Sequence, residues 1–351
     1  MKIKISAKAF DLFCGIGGLS YGLQMAGIPV AAGLDIDSTC RYAYEENCRT
    51  RFIHSDIERC NYSDISSHFD SAGYRILVGC APCQPFSTHT SKIKKNEKDS
   101  RWNLISEFLR LITEGRPEVV SMENVPALRN KEIYRGFRNA LKRLGYWVTD
   151  GVVSCEDFGV PQRRRRLVLL ASLLGDIGLP EKSVDNPVSV REAIGHLRKL
   201  SHGNTSPMDY MHVCRKLSPI NLKRIRASVA GGTWKDWPEE LLPDCYRKSS
   251  GETYSSVYGR MSWDKPSPTL TTQFYSYGTG RFGHPEQNRA LSLREGAILQ
   301  TFPEDYKFSP LGKRPFLSTI GRHIGNAVPP LLASAIGKSI MDHLEKVDAG
   351  L

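Results

Sequence analysis

The sequence predicts an α/β protein on an open, doubly wound sheet, with a smaller irregular domain inserted before the chain returns to the first. Three observations carry this. Short apolar runs without period-two alternation recur through the first half, as parallel strands buried on both faces require. Amphipathic helical patterns separate them, which implies right-handed crossovers. From about Asn186 that alternation fades, and Gly, Ser, Thr, Pro and aromatic residues take over through about Asn288.

In order, the candidate strands are Phe10–Phe13, Val30–Leu34, Arg51–His54, Arg75–Val78, Glu118–Met122 and Arg166–Ala171. Leu19 and Leu23 stand one helical turn apart, and Gly27 follows where a helix C′ glycine belongs. Trp102, Ile105, Phe108, Leu109 and Ile112 form one helical apolar face. Phe137, Leu141 and Leu144 form another, closed by Gly145. Residues 186–289 hold 15 Lys+Arg against 9 Asp+Glu, a basic, loop-rich stretch. Helical patterning returns at Leu293–Thr301 and Pro330–Val347. The expected division is therefore 1–185 plus 290–351 for the sheet domain and 186–289 for the second.

Composition bounds the function. With 351 residues, 40% hydrophobic and 24% charged, the chain can bury a sizeable core. No run approaches the roughly 20 apolar residues that span a bilayer. The first ten residues alternate Lys with apolar side chains and lack the apolar stretch of a signal peptide, so a cytoplasmic protein with no membrane partner is expected. Nine cysteines, odd in number and irregularly spaced, read as reduced, mostly buried thiols rather than a disulfide framework. A net charge of +11, spread along the chain, points to a polyanionic partner.

Asp11-Leu12-Phe13-Cys14-Gly15-Ile16-Gly17-Gly18 closes a strand and opens a helix. Its glycines allow a tight turn and close approach of a ligand. Asp35 follows Gly15 by 20 positions at the end of the next strand, where a carboxylate accepts from ribose hydroxyls. A dinucleotide fingerprint needs a third glycine where Ser20 stands. The G-x-G-G form suits S-adenosylmethionine better, because that cofactor has no pyrophosphate to cradle. Ser55-Asp56-Ile57 offers Asp56 to an adenine amino group and Ile57 as an apolar wall.

Val78-Gly79-Cys80-Ala81-Pro82-Cys83-Gln84-Pro85-Phe86-Ser87 follows a strongly apolar strand, and two prolines bracket and stiffen Cys83. Cys80 and Cys83 also form a C-x-x-C, compatible with a redox dithiol, while a zinc site lacks a second ligand pair. Both thiols could equally be buried filler. Glu123-Asn124-Val125 ends the strand Val119–Met122 at the same sheet edge, where a buried carboxylate needs a partner or a task. Gln162-Arg163-Arg164-Arg165-Arg166 leads into a buried strand, so Arg164 and Arg166 point one way and Arg163 and Arg165 the other.

With these motifs in this order, continued by Arg289-Ala290-Leu291-Ser292-Leu293-Arg294-Glu295, Leu299-Gln300-Thr301-Phe302-Pro303 and Gly325-Asn326-Ala327-Val328-Pro329, the chain resembles the DNA (cytosine-5)-methyltransferase family over nearly its whole length. The departure is Leu293, where relatives often carry Pro. The resemblance implies a Rossmann-like S-adenosylmethionine-dependent methyltransferase sheet with a smaller irregular target-recognition domain, closed by a C-terminal helix. It implies Cys83 as the thiolate that adds to cytosine C6 and Glu123 as the acid at N3 and the exocyclic amine. Arg164 and Arg166 would steady a flipped base and its phosphate.

Phe13, Gly15, Gly17, Asp35, Ile36, Asp56, Ile57, Pro82 and Asn326 would form the cofactor pocket, with S-adenosylhomocysteine as product and no metal. Gln84, Ser87, Arg163, Arg165 and Thr271, the last within Pro266-Ser267-Pro268-Thr269-Leu270-Thr271-Thr272, would contact double-stranded DNA. Thr88–Lys98 corresponds to a mobile loop that closes over DNA. Some of Arg215, Lys216, Lys223, Arg224, Arg226, Arg247, Lys248 and Arg260 are expected on phosphates. Trp234, Trp237, Tyr254, Tyr258 and Phe274 are expected in a small core.

The compact form resembles bacterial restriction–modification enzymes that act as monomers on nucleoid DNA, with a cognate endonuclease encoded nearby. Two rivals stand beside this. A transfer-RNA methylating relative would show Thr where Ser87 stands and a Cys-Phe-Thr signature, which this chain lacks. A non-catalytic homologue would lack Cys83 or Glu123.

Overall fold

The structure is a computed structural model that describes residues 5–70, 72–82, 103–247, 257–312 and 315–350. In chain order its elements are β1 (Ala7–Leu12), α1 (Gly18–Met25), β2 (Val30–Asp35), α2 (Arg41–Cys48), β3 (Arg51–His54), α3 (Tyr62–Ser66), β4 (Tyr74–Gly79), α4 (Asn103–Gly115), β5 (Val119–Asn124), α5 (Glu132–Arg143), β6 (Trp147–Ser154), β7 (Gln162–Arg163) and β8 (Arg165–Ser172). There follow α6 (Val190–Ile194), α7 (Pro219–Ala227), β9 (Ser267–Pro268), α8 (Leu293–Leu299), α9 (Leu317–Asn326) and α10 (Pro330–Asp348). Two compact units result. One comprises Met1–Phe158, Arg165–Ser183 and Val328–Leu351, the other Gly159–Arg164 and Val184–Ala327.

The first unit holds a seven-stranded sheet in the order β3-β2-β1-β4-β5-β8-β6. β1 to β5 pair in parallel, whereas β8 runs antiparallel to both neighbours. Parallel pairing needs a crossover of a dozen or more residues, and the segment 155–164 between β6 and β8 is too short for one. β6 is the strand that the sequence pattern misses. It lies at the sheet edge and is only half-buried, with Asp150 and Gly151 breaking its apolar run. The remaining six strands match expectation to within a few residues at each end, and Gly27 and Gly145 terminate α1 and α5 with positive φ. The core between sheet and helices is built from residues such as Phe10, Leu34, Leu77, Phe108, Val120, Phe137 and Leu169. On the other face, α10 lies directly against α1. A Cβ on Gly22 would stand 2.4 Å from that of Ala333, so only glycine admits this approach.

The second unit has little regular structure, with β7 and β9 as a two-stranded parallel pair. Its small core gathers Trp234, Trp237, Val257, Ile225 and Tyr277, with Tyr246 and Tyr258 packed against them. Trp234 stacks on Tyr246 at 4.6 Å between centroids. Phe274 is buried apart from this group, edge-on to Tyr275 at 6.0 Å, and Tyr254 lies outside the described residues.

The division expected at 289/290 falls inside this unit, which continues to Ala327. Hydrogen bonds explain why. Leu293 N donates to Val213 O and Arg294 N to Met211 O, sewing the start of α8 onto the preceding loops. Arg289, fully buried, pairs with Glu295 at 2.6 Å. Burial of the ion pair and the Ser292–Glu295 capping box hold that corner together.

Candidate active site

At the carboxyl ends of β1 to β3 the chain makes a cradle. Phe13, a bulky residue, takes φ 62°, and Gly15 and Gly17 take 51° and 91°. Such a conformation in a non-glycine residue is strained and characteristic of ligand-binding turns. Asp35 organises the loop, accepting from Gly15 N through one oxygen and from Asp37 N through the other, both at 2.8 Å. Burial pushes its carboxyl above the ordinary range, and the two backbone donors oppose that. A Cβ built on Gly15 would meet nothing within 4 Å, so the space beside the turn is open. Ile36 next to it is 65% exposed, an apolar side chain at the surface beside the turn.

Asp56 is half-buried and caps the following turn by accepting from Glu58 N at 3.1 Å. Ile57 packs into the sheet's core, and Pro82 is exposed. Half-buried carboxylates, a glycine turn and an exposed apolar side chain at one sheet edge can hold an adenosine-bearing ligand. Asn326 ends α9 in the second unit and is exposed.

The second cluster in this unit forms at the ends of β4, β5 and the start of β8. Gly79 pairs with Met122, so the next residues, Cys80 and Glu123, stand side by side. The Cys80 thiol donates to Glu123 Oε2 at 2.9 Å. Arg166 Nε lies 2.8 Å from Glu123 Oε1, with the two side chains 12% and 3% exposed. That Oε1 nonetheless receives no in-line hydrogen bond among the described residues, so the pair is ionic contact from the side. Asn124 donates to Ala81 O at 3.0 Å and accepts from Val125 N, tying the loop after β4 to β5. Cys83, Gln84, Ser87 and the loop 88–98 lie outside the described residues.

In the second unit, Gln162 is the organising residue. Its amide nitrogen donates to Gln300 Oε1 at 2.7 Å, and its Oε1 accepts from Leu270 N at 2.8 Å. Arg164 is buried and donates to Gln162 Oε1, Leu270 O and Ala327 O. Thr269 donates to Arg163 O at 2.5 Å, and Thr271 is half-buried. The run of arginines thus alternates as expected: Arg163 and Arg165 are exposed, Arg164 and Arg166 turned inward. Their inward partners differ, however. Arg166 is on Glu123, whereas Arg164 braces the Thr269–Thr271 segment and the end of α9.

Among the cations expected on phosphates, Arg260 needs correction. It is buried and donates to the carbonyls of Ser228, His284, Gln287 and Ile225, a structural task. Arg224 donates to Leu241 O and lies over the Trp237 ring. Arg215, Lys216, Lys223, Arg226 and Arg247 are exposed, and Lys248 lies outside the described residues.

Sequence reasoning passed over Cys80, Asn124 and Gln300 as functional positions. It also passed over Asp11, fully buried, whose Oδ2 accepts from Ser20 at 2.6 Å while Tyr44 meets Ser20 at 3.0 Å. The signal available for Cys80, Asn124 and Asp11 was a place in or beside a motif at a strand end, whereas Gln300 caps the C-terminal end of α8.

A doubly wound sheet with a glycine turn after β1 and a buried carboxylate at the carboxyl end of β5 defines the Rossmann-like methyltransferase class. The chain belongs to the C-5 cytosine-specific DNA methylase family, whose model matches residues 7–342. It is 50% identical over 340 residues to the Type II methylase M.HgiDII of Herpetosiphon aurantiacus, covering 95% of each chain. It is 33% identical to the Type II methyltransferase M1.HphI of Haemophilus parahaemolyticus, covering 96% of this chain and 87% of that one. The fold is similar to the crystal structure of a DNA modification methyltransferase encoded within an Escherichia coli prophage, at TM-score 0.74 and 24% identity over 97% and 99% of the two chains. The chain is accordingly a C-5 cytosine DNA methyltransferase of the bacterial Type II restriction–modification type. No helix among the described residues is long and apolar enough to cross a membrane.

Proposed function

We propose that the protein methylates C5 of a cytosine flipped out of a specific duplex DNA sequence, through a covalent bond between Cys83 and C6. The observation that carries this is Glu123, a buried carboxylate at the sheet edge that follows the Cys83 strand, held by Cys80 and Arg166 with one oxygen lacking an in-line donor. Such an oxygen is suited to a ring nitrogen of the base. Glu123, paired with Arg166 in the free protein, takes up a proton from solvent as the base enters. It passes that proton to N3 as the Cys83 thiolate adds to C6, and the electron pair becomes available at C5. Arg166 stabilises the carboxylate that this leaves. Once C5 carries the methyl group, its proton passes to a water molecule acting as base while the C6–S bond breaks, and the N3 proton returns to Glu123, which restores the ring and the thiolate.

S-adenosylmethionine, held by Phe13, Gly15, Gly17, Asp35, Ile36, Asp56, Ile57, Pro82 and Asn326, would supply the electrophilic methyl group and leave as S-adenosylhomocysteine. Extracting the base costs a few kcal/mol, offset by phosphate contacts. Arg163, Arg165 and Thr271, with Gln84 and Ser87, fit that role beside the exposed cations of the second unit, the target-recognition domain on this reading. Acting as a monomer on nucleoid DNA, it would protect sites from a cognate endonuclease.

The test is incorporation of labelled methyl into unmethylated duplex DNA and into transfer RNA, with bisulfite sequencing of DNA from expressing cells. Label in 5-methylcytosine at one duplex sequence is expected. Label confined to transfer RNA would overturn the assignment.

A further inference from the structure

We infer that Cys80 is a positioning residue for methyl transfer: its thiol grips one oxygen of Glu123 so that the other is presented to the base. This rests on the reading of Glu123 as the group that engages N3. The register makes the contact unavoidable, because neighbours on parallel strands project to the same side and Cys80 and Glu123 each follow the paired residues Gly79 and Met122.

The geometry separates Cys80 from the other thiols. Cys14, Cys48, Cys60 and Cys214 make sulfur contacts to backbone carbonyls at 3.8, 3.7, 3.6 and 3.2 Å, whereas Cys80 reaches a side-chain carboxylate, that of Glu123, at 2.9 Å. A thiol is a weak donor, and a carboxylate oxygen is a stronger acceptor for it than a peptide carbonyl. Cys80 is half-buried, while Cys14, Cys40, Cys48, Cys60, Cys155 and Cys214 are buried.

Function follows from the two-sided hold. A carboxylate touched only by Arg166 could turn about its terminal bond and bring either oxygen forward. With Oε2 held by the thiol and the guanidinium beside Oε1, one orientation is set before the base arrives. Such preorganisation lowers a barrier because no reorientation is left for the reaction. The first cysteine of the C-x-x-C is thereby a hydrogen-bond donor rather than a redox partner or filler.

The test is single-turnover methyl transfer by the full-length protein to unmethylated genomic DNA, with Cys80→Ala, Cys80→Ser, Glu123→Gln and the Cys80→Ala/Glu123→Gln pair. Losing a hydrogen bond to a charged group predicts a rate about 10- to 100-fold lower for Cys80→Ala, with KM for DNA and cofactor unchanged. Cys80→Ser should recover most of the rate, and Cys80→Ala should add little to Glu123→Gln. The Cys80 S–H stretching band, isolated as the difference between wild type and Cys80→Ala, should move to higher frequency in Glu123→Gln. That reading needs no activity. Wild-type rate in Cys80→Ala, equal losses in Cys80→Ala and Cys80→Ser, an undiminished Cys80→Ala effect in the Glu123→Gln background, or an unmoved band would each overturn the inference. Full activity of Glu123→Gln would instead overturn the reading of Glu123 itself.

Discussion

Replacing Arg166 with Met should unbalance the site in a way that separates stability from catalysis. The guanidinium stands 2.8 Å from Glu123 Oε1, and the two side chains are 12% and 3% exposed. Charge centres about 4 Å apart attract by about 4 kcal/mol at an effective dielectric near 20. Removing one partner of a buried pair costs about 3–5 kcal/mol, because the other charge is left desolvated and unpaired. Arg166→Met should therefore lower the free energy of unfolding by about 3 kcal/mol or more, roughly a hundredfold or greater change in the folded-to-unfolded ratio.

Adding Glu123→Gln removes the orphaned charge and should return stability to within about 1 kcal/mol of wild type, while methyl transfer stays abolished. Urea unfolding of the purified protein, read as a shift in midpoint at constant slope, measures the first quantity. Labelled-methyl incorporation measures the second. A loss under about 1 kcal/mol in Arg166→Met would mean that solvent reaches the pair. Failure of Glu123→Gln to restore stability would mean that the loss arises elsewhere.

Two further outcomes follow from buried carboxylates. Burial lifts the Asp11 carboxyl from 3.8 to about 7, so between those values the folded chain binds more protons than the unfolded and stability falls as pH rises. The shift corresponds to at most about 4 kcal/mol. Asp11→Asn should match wild type near pH 4 and exceed it in unfolding free energy at pH 8; a variant less stable than wild type at pH 8 would contradict this. Glu295 behaves oppositely. Burial raises its carboxyl, but Arg289 more than offsets this and holds it at about 2, so its contribution is present above 4.5 and lost as pH falls towards 2. Glu295→Gln leaves the fully buried Arg289 unpaired and should cost about 3–5 kcal/mol at pH 7, measured by urea unfolding, with the difference narrowing in acid.

Much of the first unit was legible in the sequence because parallel strands buried on both faces must be continuously apolar, and each such run was found. β6 escaped because an edge strand needs apolar residues on one face only, and Asp150 serves instead as partner to Arg129 and Arg138. The antiparallel course of β8 was not visible from its composition and follows from the short connection before it. At the site, Glu123 and the alternation of Arg163 to Arg166 were readable because strand period dictates direction. The partners that place them were not.

Cys80, Asn124 and Gln162 act through contacts to residues 43 to 138 positions away, which local pattern does not encode. The second unit was least readable. Its loops are held by buried arginines, Arg260 and Arg289, that composition cannot tell from arginines meant for phosphate. Only the bonds to backbone carbonyls and to Glu295 distinguish them.

The proposed reaction requires the Cys83 sulfur to bond to C6 of the target cytosine. A duplex carrying 5-fluorocytosine at the methylated position cannot lose its C5 substituent as a proton, so the adduct should accumulate with the methyl group in place. Intact mass of the trapped complex, followed by peptide mapping, should locate the bond at Cys83, with no complex from Cys83→Ser. Absence of an adduct while ordinary duplex DNA is methylated, or a bond mapped to Cys80, would contradict it.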